Sequence, residues 1–454
     1  MHAKVILTIS QGQLQGEIFE FDSRATCIIG RAQECHPRIP DRRSNRAISR
    51  YHCLLDINPP AIRIRDFGSK NGTFVNGAKI GQRQPHQTAQ QGAKLNFPEY
   101  DLTDGDKIKI GNTVFRVSVE ADGGPSAPLP DGGLSPLLSG GNFPAPEHNR
   151  SCAPLRAINL RDTVEQLLSQ TGSDRPSCCQ GYAIQTTLGK ASSNKYGEVH
   201  LIRRTNTGEK SALKIMVPQV AVKESAQNWF LAEMEKSKLL RHPNLVRLKN
   251  FCFANGLFFL VEEFCNGGNV EELMAQRGGK LPPNEAVAIV LQVLEGLSYG
   301  HSAGLVHGNL KPSEFFLTDI GGICFAKLGV FGLDRSFDLA GFSGQSLTGT
   351  KGSMPFFMPR QQVLNFKYAE RSVDVWAAAA CLYYMITGTY PRDFTHNRDP
   401  FLTVLTTEAV AIAKRCPDIP RPLAKVIDWA LVDNPEIQLK SAVDLKNALL
   451  KAHR

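Results

Sequence analysis

With 454 residues the chain is long enough for two or three domains, each able to bury a core without disulfides or metal. Hydrophobic residues at 42% and charged residues at 21% exclude a fibrous or wholly disordered chain. The net charge of +9 is spread along the sequence, not gathered in a block of Lys and Arg, which speaks against a nucleic-acid or lipid surface; a phosphate-bearing protein partner accounts for the sign equally well.

The first elements read as strands. MHAKVILTIS gives way to the polar QGQLQG without a sustained apolar region, so neither a secretory signal nor an anchor is expected. Short β-type runs follow (CIIG, AIRIRD, VFRVSV), separated by turn chemistry at Asn71-Gly72, Asn76-Gly77 and Gly105-Asp106. They predict an all-β sandwich over residues 1–120. At or between its strands stand Ile29-Gly30-Arg31, then Ile48-Ser49-Arg50-Tyr51-His52, then Gly68-Ser69-Lys70-Asn71-Gly72-Thr73 with Asn76-Gly77. A phosphate dianion needs donors, and here Arg31 and Arg50 offer charge-assisted ones, Ser49 a hydroxyl and Asn71 an amide. Gly30, Gly72 and Gly77 read first as turn glycines and His52 as a structural histidine. Arg38, Arg42, Arg43 and Arg46 form either a basic rim or a solvated loop.

In spacing and type these segments resemble the forkhead-associated (FHA) domain, over nearly all of residues 1–120. The resemblance implies phosphothreonine binding, with Arg31 and Ser49 gripping the phosphate, Arg50 and Lys70 flanking it and Asn71 bonding the peptide main chain. Gly30, His52, Gly72 and Asn76 would then shape the loops. An insertion from Gln82 to Glu99 lengthens one loop without touching the clamp.

Residues 121–180 shift to Gly, Pro and Ser, a composition that cannot bury enough apolar surface to order itself, and read as a linker. Within it LRDTVEQLLSQ, Leu160 to Gln170, carries helical spacing. The 11 cysteines are odd in number and lack zinc spacing, so they read as mostly reduced and buried, although the adjacent Cys178 and Cys179 lie in a polar stretch. From 181 to 454 strands come first and helices later, with helical patterns at Trp229 to Leu240, Pro283 to Ser302, Val373 to Thr387 and Leu423 to Val432. The longest apolar run, Val373 to Ile386, is broken by Asp374 and falls short of the roughly 20 residues a bilayer needs.

In this second region Ser211-Ala212-Leu213-Lys214, Phe230-Leu231-Ala232-Glu233, LVEEFCNGG and Leu305-Val306-His307-Gly308-Asn309-Leu310-Lys311-Pro312-Ser313-Glu314 resemble a bilobal α+β Ser/Thr protein kinase over about residues 181–450. The resemblance implies that Lys214 and Glu233 pair to position nucleotide phosphates. Several positions depart from the family pattern. Asn309 stands where the catalytic Asp is expected, and a neutral amide cannot take a hydroxyl proton as a carboxylate does. Gly308 replaces the preceding Arg. Glu314 replaces a metal-binding Asn and still offers oxygen. Val330 replaces the metal-binding Asp before Phe331-Gly332, and an isopropyl group offers no oxygen to magnesium. The loop from Gly189 to Gly197 lacks its middle glycine. Glu262 falls at the gatekeeper position, where a carboxylate must be neutralised, solvated or paired with Lys214. Arg360 and Gln438 replace both ends of a Glu–Arg pair, a change read as neutral for activity because no lone charge is stranded.

The sequence thus predicts a multidomain chain: an all-β FHA sandwich, a linker and a kinase-like domain of pseudokinase type. It would serve as a cytoplasmic signalling adaptor whose partners are phosphothreonine-containing proteins, active Ser/Thr kinases or their substrates among them, with no nucleic-acid or membrane role. Two alternatives stay open. One is a weakly active kinase using Glu314 for a single metal; the other is a switch that binds ATP without magnesium through Lys214.

Overall fold

The computed structural model describes residues 4–22, 25–33, 35–88, 97–120, 176–190, 197–219, 222–342, 355–364, 369–395 and 400–453. The expected Leu160 to Gln170 helix, the centre of the glycine-rich loop and part of the Gln82 to Glu99 insertion lie outside the described residues.

The N-terminal unit is a two-sheet sandwich. One sheet holds β1 (Lys4–Gln11), β2 (Ile18–Phe21), β6 (Thr73–Val75), β7 (Ala78–Gly81), β9 (Lys107–Ile110) and β10 (Thr113–Glu120) in the order β2-β1-β10-β9-β6-β7. The other holds β3 (Ala25–Ile29), β4 (Cys53–Asn58), β5 (Ala61–Asp66) and β8 (Tyr100–Leu102) in sequence order. Strict alternation along β1 sends Val5, Leu7 and Ile9 inward, where they meet Cys27, Ile29, Cys53 and Leu55 of the facing sheet. The antiparallel register of β3 on β4 pairs Ile29 with Cys53, so the loops leaving these strands, which carry Arg31 and Ser49-Arg50, emerge together at one end.

The second unit is bilobal. Its smaller lobe is an antiparallel sheet of β11 (Tyr182–Lys190), β12 (Gly197–Arg204), β13 (Lys210–Met216), β14 (Leu248–Ala254) and β15 (Leu257–Glu263), ordered β11-β12-β13-β15-β14, with helix α1 (Glu224–Leu239) alongside. Helix α1 starts five residues before the Trp229 expected from periodicity; Glu224 in its first turn and Lys236 and Lys238 in its last complement its dipole. The Ser177–Cys179 turn, placed in the linker by composition, packs beneath this sheet instead, with Cys178 and Cys179 both buried.

The larger lobe contains α2 (Val270–Gln276), α3 (Pro283–Ser302), the hairpin β16 (Phe315–Ile320) and β17 (Ile323–Leu328), α4 (Leu333–Leu339), α5 (Arg360–Leu364), α6 (Arg371–Thr387), α7 (Pro400–Thr406), α8 (Arg421–Ala430) and α9 (Ala442–Ala452). Every residue of α6 from Val373 to Tyr383 is buried, which makes this helix the axis of the lobe. No helix among the described residues is long and apolar enough to cross a membrane. None of the ten described cysteines forms a disulfide, and Cys324 alone among them is exposed.

Candidate functional site

The first candidate site is the loop cluster at the end of the sandwich. Gly30 must be glycine because a Cβ there would lie 2.0 Å from the Arg50 carbonyl oxygen; this close approach brings the Arg31 and Arg50 loops together. The Arg31 amide donates to Ser49 O at 3.2 Å and its Nε to Ile48 O at 2.6 Å, while its guanidinium ion-pairs with Asp41. The Ser49 hydroxyl accepts from the Lys70 amide at 3.0 Å. Arg50 and Lys70 are exposed beside it. Asn71 donates its Nδ2 to Ala47 O at 2.7 Å, and its amide oxygen is an acceptor by chemistry.

Two buried side chains hold these loops. His52 accepts from the Ser49 amide at Nδ1 (3.0 Å) and faces Gly72 O with Nε2 (3.1 Å), so the neutral ring with a proton on Nε2 satisfies both contacts. Burial lowers its pKa and keeps it neutral. Asp66, which sequence reasoning passed over, accepts from the Ser69 amide (2.8 Å), the Ser69 hydroxyl (2.7 Å) and the Thr73 hydroxyl (2.5 Å). The signal was there: an Asp closing a strand, with Ser three residues on, is an Asx-turn pattern. Asn76 takes a positive φ of 50° in its Asn-Gly turn and binds Asp106 and the Lys107 amide, so it shapes the turn at a distance from the clamp.

The second candidate site is the cleft between the lobes. The pair expected of Lys214 and Glu233 is replaced: Lys214 Nζ lies 3.7 Å from Asp334 Oδ1, and Glu233 binds Lys236 at 2.5 Å. Helix α4 begins directly after Phe331-Gly332 and brings Asp334 to Lys214; its Phe337, with the following Phe342, packs edge-on against Phe230 of α1. Burial works against charge on Lys214, but Asp334 first, then Glu314 and Glu262, hold its pKa above the ordinary value. Asp334 is correspondingly held low by Lys214 and Lys311 in spite of its burial. Asn309 donates its amide to the other Asp334 oxygen at 2.7 Å. One carboxylate absent from the sequence-based candidates therefore ties the strand lysine to the residue at the base position.

Val330 is buried in an apolar cluster with Met216, Phe230, Met234, Leu333 and Phe337. Glu314 is buried behind Gly329, where a Cβ would stand 2.5 Å from its Oε2. Glu262 is also buried, and its Oε1 has no hydrogen-bond partner among the described residues. Burial raises the Glu262 pKa to about 7 against the pull of Lys214, so partial neutralisation and pairing with Lys214 share the compensation. Gly197 lies against strand β13, its Cβ position 1.8 Å from Ile215 O, and Gly189 pairs with Val199. Gly308 has a φ of 73° and Arg335 lies over it, with the Arg335 Cδ 2.4 Å from where a Cβ would be. Asp374, the break in the apolar run, accepts from the His307 and Gly308 amides at 2.8 and 2.7 Å and from His301 at 2.9 Å, fixing the loop that carries Asn309.

Arg360 is not a stranded charge. It binds Asp433 through its amide at 2.8 Å, and Arg392 meets the same carboxylate at 2.5 Å; Gln438 is exposed. The Glu–Arg pair implied by the family resemblance is thus replaced by a buried Arg–Asp–Arg cluster. Asp433 lines a cavity of about 390 Å³ with Arg360, Glu370 and Asn434.

For magnesium with a nucleotide the residues present do not fit. The expected metal position carries an alkyl group inside an apolar cluster, and the strand lysine is engaged by Asp334. Among the described residues no group of three His, Cys, Asp or Glu side chains could hold a metal ion.

A two-sheet β-sandwich followed by a bilobal α+β fold with a central buried helix defines a two-domain chain with a kinase fold. It belongs to the protein kinase family: the protein kinase domain model matches residues 182–447, and the FHA domain model matches residues 27–98. The carbon catabolite-derepressing protein kinase of Candida albicans is 34% identical over 213 residues, 47% of this chain and 32% of that protein. The CBL-interacting protein kinase 17 of Oryza sativa subsp. japonica is 32% identical over 219 residues, 48% of this chain and 46% of the relative. The chain thus spans less than half the length of these curated relatives. Among solved structures, the kinase domain of Mycobacterium tuberculosis PknI aligns at 22% identity over 61% of this chain and 96% of that one, with a TM-score of 0.49.

Proposed function

We propose that this chain is a phosphothreonine-dependent adaptor: its FHA domain recruits phosphorylated proteins to a kinase-like domain that does not transfer phosphate. The observation that carries this reading is Asp334, which engages both Lys214 and Asn309 while Val330 lies in the apolar cluster. Phosphoryl transfer depends on a strand lysine paired with the helix glutamate, a metal-binding carboxylate and a base. Here the lysine is paired with Asp334 and not with Glu233, the base position is an amide, and the metal position has no oxygen. On the sandwich, Arg31, Ser49, Arg50 and Lys70 converge at one loop cluster, a donor-rich arrangement suited to a dianion.

The second reading, a weakly active Ser/Thr kinase, draws on the names of the relatives and on the two carboxylates, Glu314 and Asp334, beside Lys214. Phosphotransfer to a generic protein substrate with magnesium or manganese separates the two. The adaptor reading expects none above a Lys214→Ala control; turnover abolished by that substitution refutes it. A thermal shift with ATP alone, without turnover, favours the nucleotide-binding switch.

A further inference from the structure

At the end nearest the Arg31 and Arg50 loops, strands β3 and β4 are apolar on both faces. Cys27, Ile29, Cys53 and Leu55 point into the sandwich, yet Ile28 and Leu54, on the opposite face, are each only 1% exposed. A sandwich sheet with one face in water alternates apolar with polar residues, so something covers this outer face. The cover is the large lobe of the kinase-like domain: Ile28, Leu54 and Phe67 form one buried cluster with Val363 of α5 and Phe401 and Leu402 of α7.

The lobe side of this seam is firmly held. Arg360 donates to Val404 O at 3.2 Å and to Thr407 O at 2.8 Å, and Arg392 donates to Thr407 O at 3.0 Å. Both guanidiniums therefore grip carbonyls at the C-terminal end of α7, where the helix dipole favours cations, and both face Asp433, Arg392 at 2.5 Å and Arg360 at 3.8 Å. On the sandwich side, the seam reaches the clamp itself. Ala32, next to Arg31, and Tyr51, next to Arg50, pack against the cluster, and the Cys35 thiol within it donates to Arg50 O at 3.3 Å.

We propose that the large lobe is a working part of the phosphothreonine reader: α5 and α7 clamp the loops that carry Arg31 and Arg50 into their gripping arrangement, so that the two domains read phosphothreonine as one body. This rests on the reader assignment above. Loops held in their bound geometry lose less entropy on binding, so releasing them lowers affinity without removing any contact to the ligand. Phe401 and Leu402 are on this account positioning residues that touch no phosphate.

The test uses the full chain and a fluorescent phosphothreonine peptide from a degenerate library, read by anisotropy, together with the rate at which N-ethylmaleimide modifies Cys35, read by mass spectrometry. Phe401→Asp, and independently Leu54→Glu on the sandwich side, are expected to accelerate Cys35 modification and to weaken the phosphopeptide by about tenfold or more. Hydrogen exchange of α6 in Phe401→Asp, and of β1 and β10 in Leu54→Glu, reports that each domain remains folded. Faster Cys35 modification with unchanged phosphopeptide affinity overturns the coupling, and unchanged modification in both variants overturns the seam. Failure of the wild-type chain to prefer any phosphorylated over plain peptide overturns the reader assignment, and this inference with it.

Discussion

Glu262→Gln is the perturbation whose outcome follows most directly from the cleft. Burial lifts the Glu262 pKa from its ordinary 4.5 to about 7. The folded chain therefore binds a proton that the unfolded chain releases between these two values. Stability from this group is complete below about pH 4.5 and is lost as pH rises through 7. At about 1.4 kcal/mol per tenfold change in proton affinity, the wild type loses about 2 to 3 kcal/mol between pH 5 and 8 that the neutral amide does not. For a domain of this size each kcal/mol corresponds to about 2–4 °C in Tm, so the advantage of the variant over wild type grows by about 5–10 °C across that window. Differential scanning fluorimetry of both proteins at pH 5, 6, 7 and 8 isolates the effect, since every other titrating group is shared. A Tm difference that stays constant with pH refutes the claim that Glu262 is buried without adequate compensation.

Arg31→Ala is expected to weaken phosphothreonine peptides by about 1.5–3 kcal/mol, the range of a hydrogen bond to a charged group, in calorimetric titration, with unphosphorylated peptide unaffected. Gly30→Ala, which places a methyl group 2.0 Å from Arg50 O, is expected to cost about 1–3 kcal/mol of stability and to lower phosphopeptide affinity together with it. Asp433→Asn leaves Arg360 and Arg392 buried without their shared carboxylate; chemical denaturation is expected to show a loss of about 3–5 kcal/mol in the kinase-like domain.

Much of the architecture was legible because it is written in local chemistry. The alternation of VILTI and the Asn-Gly turns specify a sandwich, and the periodicity from Pro283 to Ser302 gives its helix to the residue. Asn309 and Val330 were legible for a different reason: flanking residues such as Leu310, Lys311, Phe331 and Gly332 fix their register. Asp334 escaped because its role is tertiary. It lies four residues past Val330 in the chain, and only the turn of α4 swings its carboxylate between Lys214 and Asn309. Glu233 misled for the mirror reason: its spacing from Lys214 is right, but Asp334 takes the lysine and Lys236 takes the glutamate. Cys178 and Cys179 are buried, in keeping with the reading of the cysteines as mostly reduced and buried, but no local signal in their polar stretch reveals that a sheet lies above them. The seam did leave a trace, since Cys27-Ile28-Ile29 and Cys53-Leu54-Leu55 are apolar at consecutive positions, where a one-sided sheet would alternate.

The packing around Val330 also shapes what mutation can undo. Restoring an aspartate at that single position would set a carboxylate among Phe230, Met234 and Phe337, with no cation to meet it while Lys214 stays bound to Asp334. Replacing Asp334 first would strip Lys214 and Asn309 of their shared partner. Each step toward an oxygen-lined pocket at this position is uphill unless the others accompany it, so the aromatic filling and the Lys214–Asp334 contact resist single substitutions together.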